Sequence, residues 1–299
     1  MTNSIPKPSS AVWRFVVITT SSLLKFVVIT TSSLVAFAAI TTSTLLAGNT
    51  KERISKTASV DWTKAQLQIE ESIDLDGGDG DILEKERKAK QILQKSIYTL
   101  ISRYSEKIRF DRDYVLGEYL DANPKSRELF TLYLEKRKIQ PILKRDQMKL
   151  YAVYTIPLRG ADSFVADLVT EQDPLPIPDF PEIPNPPQYT GLIIDVSHLE
   201  FQPSLLPRIT TERGEDIYAY YFQDFQYLQK FGVVEYQTKE KTNTSKRIGK
   251  QPYRVMATSV SGKNGTDVVI TSEEANRFLG NPKNQEILKK GKILILTSK

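Results

Sequence analysis

Seven prolines fall within residues 174–187: Pro174, Pro176, Pro178, Pro181, Pro184, Pro186 and Pro187. Each lacks a backbone N–H and fixes φ, so the stretch can be neither a helix interior nor a central strand. It should run extended, as a semi-rigid spacer, with a docking segment for an aromatic groove as the weaker reading. A chain of 299 residues interrupted in this way divides into two modest units. The expected fold class is α+β: two small domains, each a mainly antiparallel sheet with packed helices. The boundaries read as 58–170 for the first domain, 171–188 for the Pro-rich linker and 189–299 for a second domain of α/β character.

Local patterns fill in these domains. Ala65 to Ile69 alternates apolar and polar, as a half-buried strand does. The acidic, glycine-rich loop 74–81 resembles a calcium loop, but from Asp74 the sixth and twelfth positions are Asp79 and Lys85 rather than glycine and glutamate. It reads instead as a turn running into a helix cap, with Asp81 at the cap and Glu84 three residues on. Ala89, Ile92, Leu93, Ile97, Leu100, Ile101 and Tyr104 then recur at helical spacing. A second helix is expected from Asn123-Pro124, using Leu129, Leu132 and Tyr133. Two strands should face each other around Arg145-Asp146-Gln147, the second burying Leu150, Ala152, Tyr154 and Ile156. Past the prolines, residues 191–196 form a continuous apolar run, the signature of a central strand. Further strands are expected at 252–260, 266–271 and 292–297, with short helices at 272–279 and 282–289.

The N-terminal 48 residues carry a different message. From Phe15 to Ala47 one eleven-residue unit is written three times: FVVITTSSLLK, FVVITTSSLVA, FAAITTSTLLA. The block has no acidic residue, follows Lys7 and Arg14, and ends on the small residues Ala47 and Gly48. That is the grammar of an export signal, lengthened by tandem expansion. Phe26 to Ala47 also offers 22 uncharged residues, enough for a retained signal anchor in an inner membrane. Residues 1–48 are therefore read as a signal peptide or signal-anchor helix, with membrane contact through 15–47, and the remainder as exported.

Several chemistries are disfavoured. The sequence has no cysteine, so neither disulfides nor thiolate metal sites can form. Taking the three basic residues of 1–48 away from 41 leaves 38 against 36 acidic, and no basic stripe outlasts runs such as Lys136-Arg137-Lys138. A nucleic-acid partner is not expected. No metal or cofactor is expected: His198 is the single histidine, and no phosphate-cradling glycine loop occurs. The chain reads as non-catalytic. A hydrolase using Asp195 and His198 is the weaker competitor, since such arrangements are defined by geometry rather than by order along the chain.

Three stretches together resemble a known family. They are Val60-Asp61-Trp62-Thr63, the strand end Ile156-Pro157-Leu158-Arg159-Gly160, and Tyr189-Thr190-Gly191-Leu192-Ile193-Ile194-Asp195-Val196 with the following Leu205-Leu206-Pro207-Arg208-Ile209 and Gly214-Glu215-Asp216-Ile217-Tyr218. The order is similar to bacterial cell-envelope proteins related to the FlgP-type flagellar and small outer-membrane lipoproteins. The sequence departs from them in having Asn49 where the lipid-bearing cysteine would stand, and Ser197-His198 where they carry Arg-Gly. The resemblance implies a structural or assembly role in the periplasm or at the outer membrane, linked to flagella and motility or to outer-membrane integrity. Its partners would be envelope proteins, flagellar or outer-membrane components among them.

The residues chosen for partner binding are Tyr218, Tyr220, Tyr221, Phe222, Phe225 and Tyr227, in a segment 218–236 that continues to Phe231 and Tyr236. Tyrosine offers contact area with a polar tip, which suits recognition of proteins or carbohydrates. The same residues could equally form a hairpin or helix interior, while Gln223, Asp224, Gln226 and Gln229 among them argue for partial exposure. A surface-exposed binding module or adhesin is the alternative function for such a segment.

Overall fold

The computed structural model describes residues 50–76, 80–137, 139–169, 173–238 and 245–298. The repeat block, part of the acidic loop and Lys138 lie outside the described residues. Among the described residues, no helix is long and apolar enough to cross a membrane.

The first domain is a five-stranded antiparallel sheet in the order β1-β2-β3-β5-β4: β1 (Lys51–Arg53), β2 (Ala58–Asp61), β3 (Gln66–Asp74), β4 (Ile142–Asp146) and β5 (Lys149–Pro157). Strands β3 and β5 pair over nine residues, from Gln66 opposite Pro157 to Asp74 opposite Lys149. The expected turn between β4 and β5 is present, with Gln147 at φ 49°. Helix α1 (Ile82–Ser105) covers one face, and Tyr154 Oη donates to Leu93 O at 2.9 Å. Its buried stripe is Ala89, Leu93, Ile97, Ile101 and Tyr104. Ile92, expected in that stripe, is 57% exposed, because a sheet beneath a single helix reaches only a narrow strip of its circumference. Asp81 stands at the N-cap position as expected, although its side chain makes no capping bond.

Helix α2 (Leu116–Ala122) was not anticipated; α3 (Pro124–Lys136) starts at the expected proline. Phe130, Tyr133 and Leu134 are the buried residues of α3, whereas Leu132 faces out. The face is set by helix α4 (Phe164–Leu168): the Phe130 and Phe164 rings meet edge to face, 5.3 Å apart at 83°.

The second domain contains β6 (Leu192–Asp195), β7 (Ile209–Thr211), β8 (Asp216–Tyr218), β9 (Glu235–Thr238), β10 (Tyr253–Met256), β11 (Ser259–Ser261), β12 (Asp267–Ile270) and β13 (Ile293–Thr297). The α+β class and the two-domain division hold. Antiparallel pairs join β11 to β12 and β7 to β8, while β12 and β7 run parallel. Beyond the expected antiparallel pairing, a second sheet in the order β10-β6-β13-β9 is parallel throughout. Parallel pairing follows from burial on both faces: Leu192, Ile194, Ile293 and Ile295 enter the main core, while Ile193, Leu294 and Leu296 pack with Ile248 on the other side. Helices α5 (Phe225–Phe231), α6 (Ser272–Leu279) and α7 (Pro282–Lys289) complete the domain. Thr271 caps α6 by accepting from Glu274 N, and Asn281 caps α7 by accepting from Lys283 N.

The proline segment is extended, as expected, yet it is not a free spacer. Leu175 N donates to Tyr221 O at 2.7 Å, and Ile177 is buried. Asn281 Nδ2 donates to Pro186 O and Pro187 O at 3.2 and 3.1 Å. Fully buried Asn284 donates to Pro187 O and accepts from Tyr189 N. Prolines leave their carbonyls unpaired in an extended run, so amide side chains can hold them.

One apolar core continues through both domains. Main-chain bonds stitch them: Leu205 N to Arg109 O at 3.1 Å, Leu206 N to Phe110 O at 2.7 Å, and Asn264 N to Arg112 O at 3.0 Å. Arg109 donates to Pro203 O and pairs with Glu52 through both terminal nitrogens, and its guanidinium lies 5.7 Å from the Trp62 ring centre.

Candidate docking surface and the seam between the domains

The aromatic segment divides into inward and outward members. Tyr218 in β8 is fully buried, its Oη 2.8 Å from Val233 O and 2.9 Å from Gln223 Oε1. Burial pushes its phenol well above the ordinary value. Phe222 is 5% exposed, and Tyr236 is buried with its Oη donating to Ser204 O. These three belong to the core, which corrects the selection of Tyr218 and Phe222 for docking. Of the polar residues among them, Gln223 is buried, Asp224 and Gln229 are half-buried and Gln226 is exposed, so they mark partial exposure for the later part of the segment but not for Tyr218 and Phe222.

Tyr220, Tyr221, Phe225 and Tyr227 remain half-buried, and Phe231 is 36% exposed. The Tyr227 and Phe231 rings stack on α5 at 6.3 Å, with Lys230 Nζ 5.1 Å from the Phe231 ring centre. Tyr221 Oη is held by Asp216; burial first, and that carboxylate second, push its phenol up to about 12. Gly232 ends α5 at φ 67°, a conformation side chains disfavour. A Cβ there would also lie 2.8 Å from Arg159 Cγ, so the turn needs glycine twice over.

Below α5, on the seam, opens a mainly apolar pocket lined by Trp62, Leu158, Arg159, Ser204, Leu228 and Val233 among others. Its Ser204 Oγ is buried and, among the described residues, has no hydrogen-bond partner. Elsewhere in the second domain Asp267, fully buried at the start of β12, accepts from Arg208 N and Nε at 3.1 Å each, with Arg112 3.7 Å away. Burial raises the Asp267 carboxyl and the Arg208 guanidinium opposes that. Sequence reading passed over Asp267, whose only signal was a charged residue opening an otherwise apolar strand, Asp267-Val268-Val269-Ile270.

His198 stands exposed in the turn after β6, and Asp195 Oδ1 accepts from Ser197 N at 2.9 Å. Among the described residues, no group of three or more His, Cys, Asp or Glu is arranged to hold a metal ion.

This geometry defines a two-domain α+β protein with a docked proline strap and an aromatic rim over an interdomain seam. Residues 53–162 match the family model described as the Treponema pallidum Tp0624 N-terminal domain, and residues 191–299 match that of the Tp0624 second domain. The chain thus carries the first two domains of a bacterial protein family, in that order. Neither match links the chain to FlgP-type lipoproteins. No curated protein matches the chain.

Proposed function

We propose that the chain is a non-catalytic, exported cell-envelope protein with a structural or assembly role. The observation that carries this reading is the acid-free apolar block of residues 15–47, preceded by basic residues and followed by Ala47-Gly48. The family of its two domains, a bacterial one, supports it. So does the architecture: a single core, a strapped linker and main-chain stitches give a rigid body suited to holding surfaces in fixed relation. In this reading the protein works in the periplasm or at the outer membrane. The FlgP-type likeness of residues 189–196 and 205–218 extends the proposal to flagellar or outer-membrane partners. The half-buried rim Tyr220, Tyr221, Phe225 and Tyr227 is the docking surface in this reading.

Mass spectrometry of the native protein in fractionated cells tests the export step. Recovery from the envelope fractions is expected, and recovery with an intact N-terminus from the cytosol alone would sink the proposal. Tyr227→Ala tests the docking rim: a loss of partner capture of about thirtyfold, or 2 kcal/mol, is expected with an unchanged melting transition. His198→Ala should leave every envelope phenotype intact; loss of a measured hydrolytic activity in the folded variant would favour the Asp195/His198 competitor. Cleavage of the protein by protease added to whole cells would favour an adhesin.

A further inference from the structure

Among the described residues, the seam holds an arginine whose nearest carboxylate is shared with a second arginine. Arg159 follows β5, and its aliphatic stem lies across Gly232 at the end of α5. The charged groups acting on its guanidinium from around it are Glu235, across space, and the neighbouring Arg247. Arg247 is satisfied by main-chain oxygens: it donates to Gly291 O and, at 2.8 Å each, to Phe231 O, Gly232 O and Val233 O. Glu235 in turn accepts from Gln237 Nε2 at 2.6 Å and Ser245 Oγ at 3.0 Å. Two guanidiniums therefore share one carboxylate, which is already hydrogen-bonded elsewhere. Burial lowers both guanidiniums, Arg247 to about 10.

Arg159 also lines the apolar seam pocket, together with Leu158, Val165 and Leu228. Ser204, 1% exposed and with its hydroxyl unpartnered among the described residues, lines the same pocket. A buried hydroxyl without a partner is costly, and a ligand oxygen would relieve it. The pocket has a volume of only about 30 Å³, the size of one small group, and it opens to solvent. A guanidinium, a hydroxyl and apolar walls together select an anion with a short apolar body. A dianion such as phosphate would bring a second negative charge towards Glu235 and would gain nothing from the walls.

We propose that the seam pocket binds a small monocarboxylate with a short aliphatic group, the carboxylate on Arg159 and the aliphatic group against Leu158, Val165 and Leu228. This goes beyond the envelope role and stands independently of it, because it is measured on the purified full chain. Trp62 lines the pocket and reports its occupancy; the other tryptophan, Trp13, is replaced in a Trp13→Phe background. Titration with isobutyrate is expected to give a saturable fluorescence change with Kd of about 1 mM or tighter. Neutral isobutyramide and inorganic phosphate should give none. Arg159→Met, which keeps the stem over Gly232, should weaken isobutyrate at least tenfold without lowering the melting temperature. An equal response to isobutyrate and isobutyramide on the unmodified pocket, an unchanged titration in Arg159→Met, or no saturable response to isobutyrate would each overturn the proposal. The amide comparison decides the matter even if Arg159→Met does not fold.

Discussion

Strands β3 and β13 are both central, yet they are buried in opposite styles. Along β3, Leu67 and Ile69 are buried while Gln66, Gln68 and Glu70 face outward. Along β13 every residue from Ile293 to Thr297 is buried. The difference lies in what covers each sheet. The first domain lays α1 on one face of its antiparallel sheet and leaves the other to solvent. The second domain packs one face of its parallel sheet into the main core and closes the other with Ile248. The closure is tight: a Cβ on Gly191, just before β6, would lie 2.5 Å from Ile248 O, so only glycine fits there. Alternation and continuous apolarity are thus two outcomes of one rule, that a strand carries apolar side chains wherever a neighbour removes water.

The largest test compares consecutive residues. Leu294→Ala and Ile295→Ala should each cost about 2–5 kcal/mol in denaturant unfolding, because both faces of β13 are packed. In β3, Leu67→Ala should cost as much, but Gln68→Ala should stay within about 0.5 kcal/mol. Comparable losses at Leu67 and Gln68 would break the contrast.

Next in size is an alkaline effect that sharpens it. Burial, opposed by Arg137 and reinforced by Asp167 and Asp162, pushes the Tyr133 phenol of the first domain up to about 12 from its ordinary value of 10.0. Tyr221 of the second domain is pushed up to about 12 as well. The folded protein holds these protons more tightly than the unfolded chain, so their contribution is complete below pH 10 and is lost as pH rises towards 12. The contribution of Tyr133 lost across this window is about 2–3 kcal/mol. A pH series of melting curves should show one transition falling through this window. Two transitions that separate would mean that the domains are energetically independent despite their common core.

The smallest effect concerns Ile92. Its exposure predicts that Ile92→Ser changes stability by no more than about 0.5 kcal/mol, whereas Leu93→Ser on the covered stripe should cost several times that. A large loss at Ile92 would mean that something packs on the outer side of α1 in solution.

Legibility followed the range of the interactions involved. The β4–β5 turn, the Pro124 helix start, the central position of β6 and the starts of α6 and α7 were readable because each rests on a few adjacent residues. Leu129 and Leu132 were chosen for the buried face of α3 where Phe130 and Leu134 proved central, since α4 arrives from 30 residues further along the chain to select the face. Within the candidate site, the sequence marked the aromatic cluster but not which rings turn inward. Val233 and Gln223 receive Tyr218, and Ser204 receives Tyr236, only after β8, α5 and β9 have packed.

From the sequence alone came what local chemistry dictates: an extended proline segment, two α+β domains around it, the helix and turn punctuation, and a repeat block with the character of an export signal. The tertiary structure decided the parallel order of β10-β6-β13-β9, the strapping of the prolines by Asn281 and Asn284, and the meeting of Arg159, Ser204 and Leu228 at one pocket. Those features join residues tens of positions apart. Their partners are chosen by burial and by the need to satisfy buried polar groups, which no short window of sequence contains.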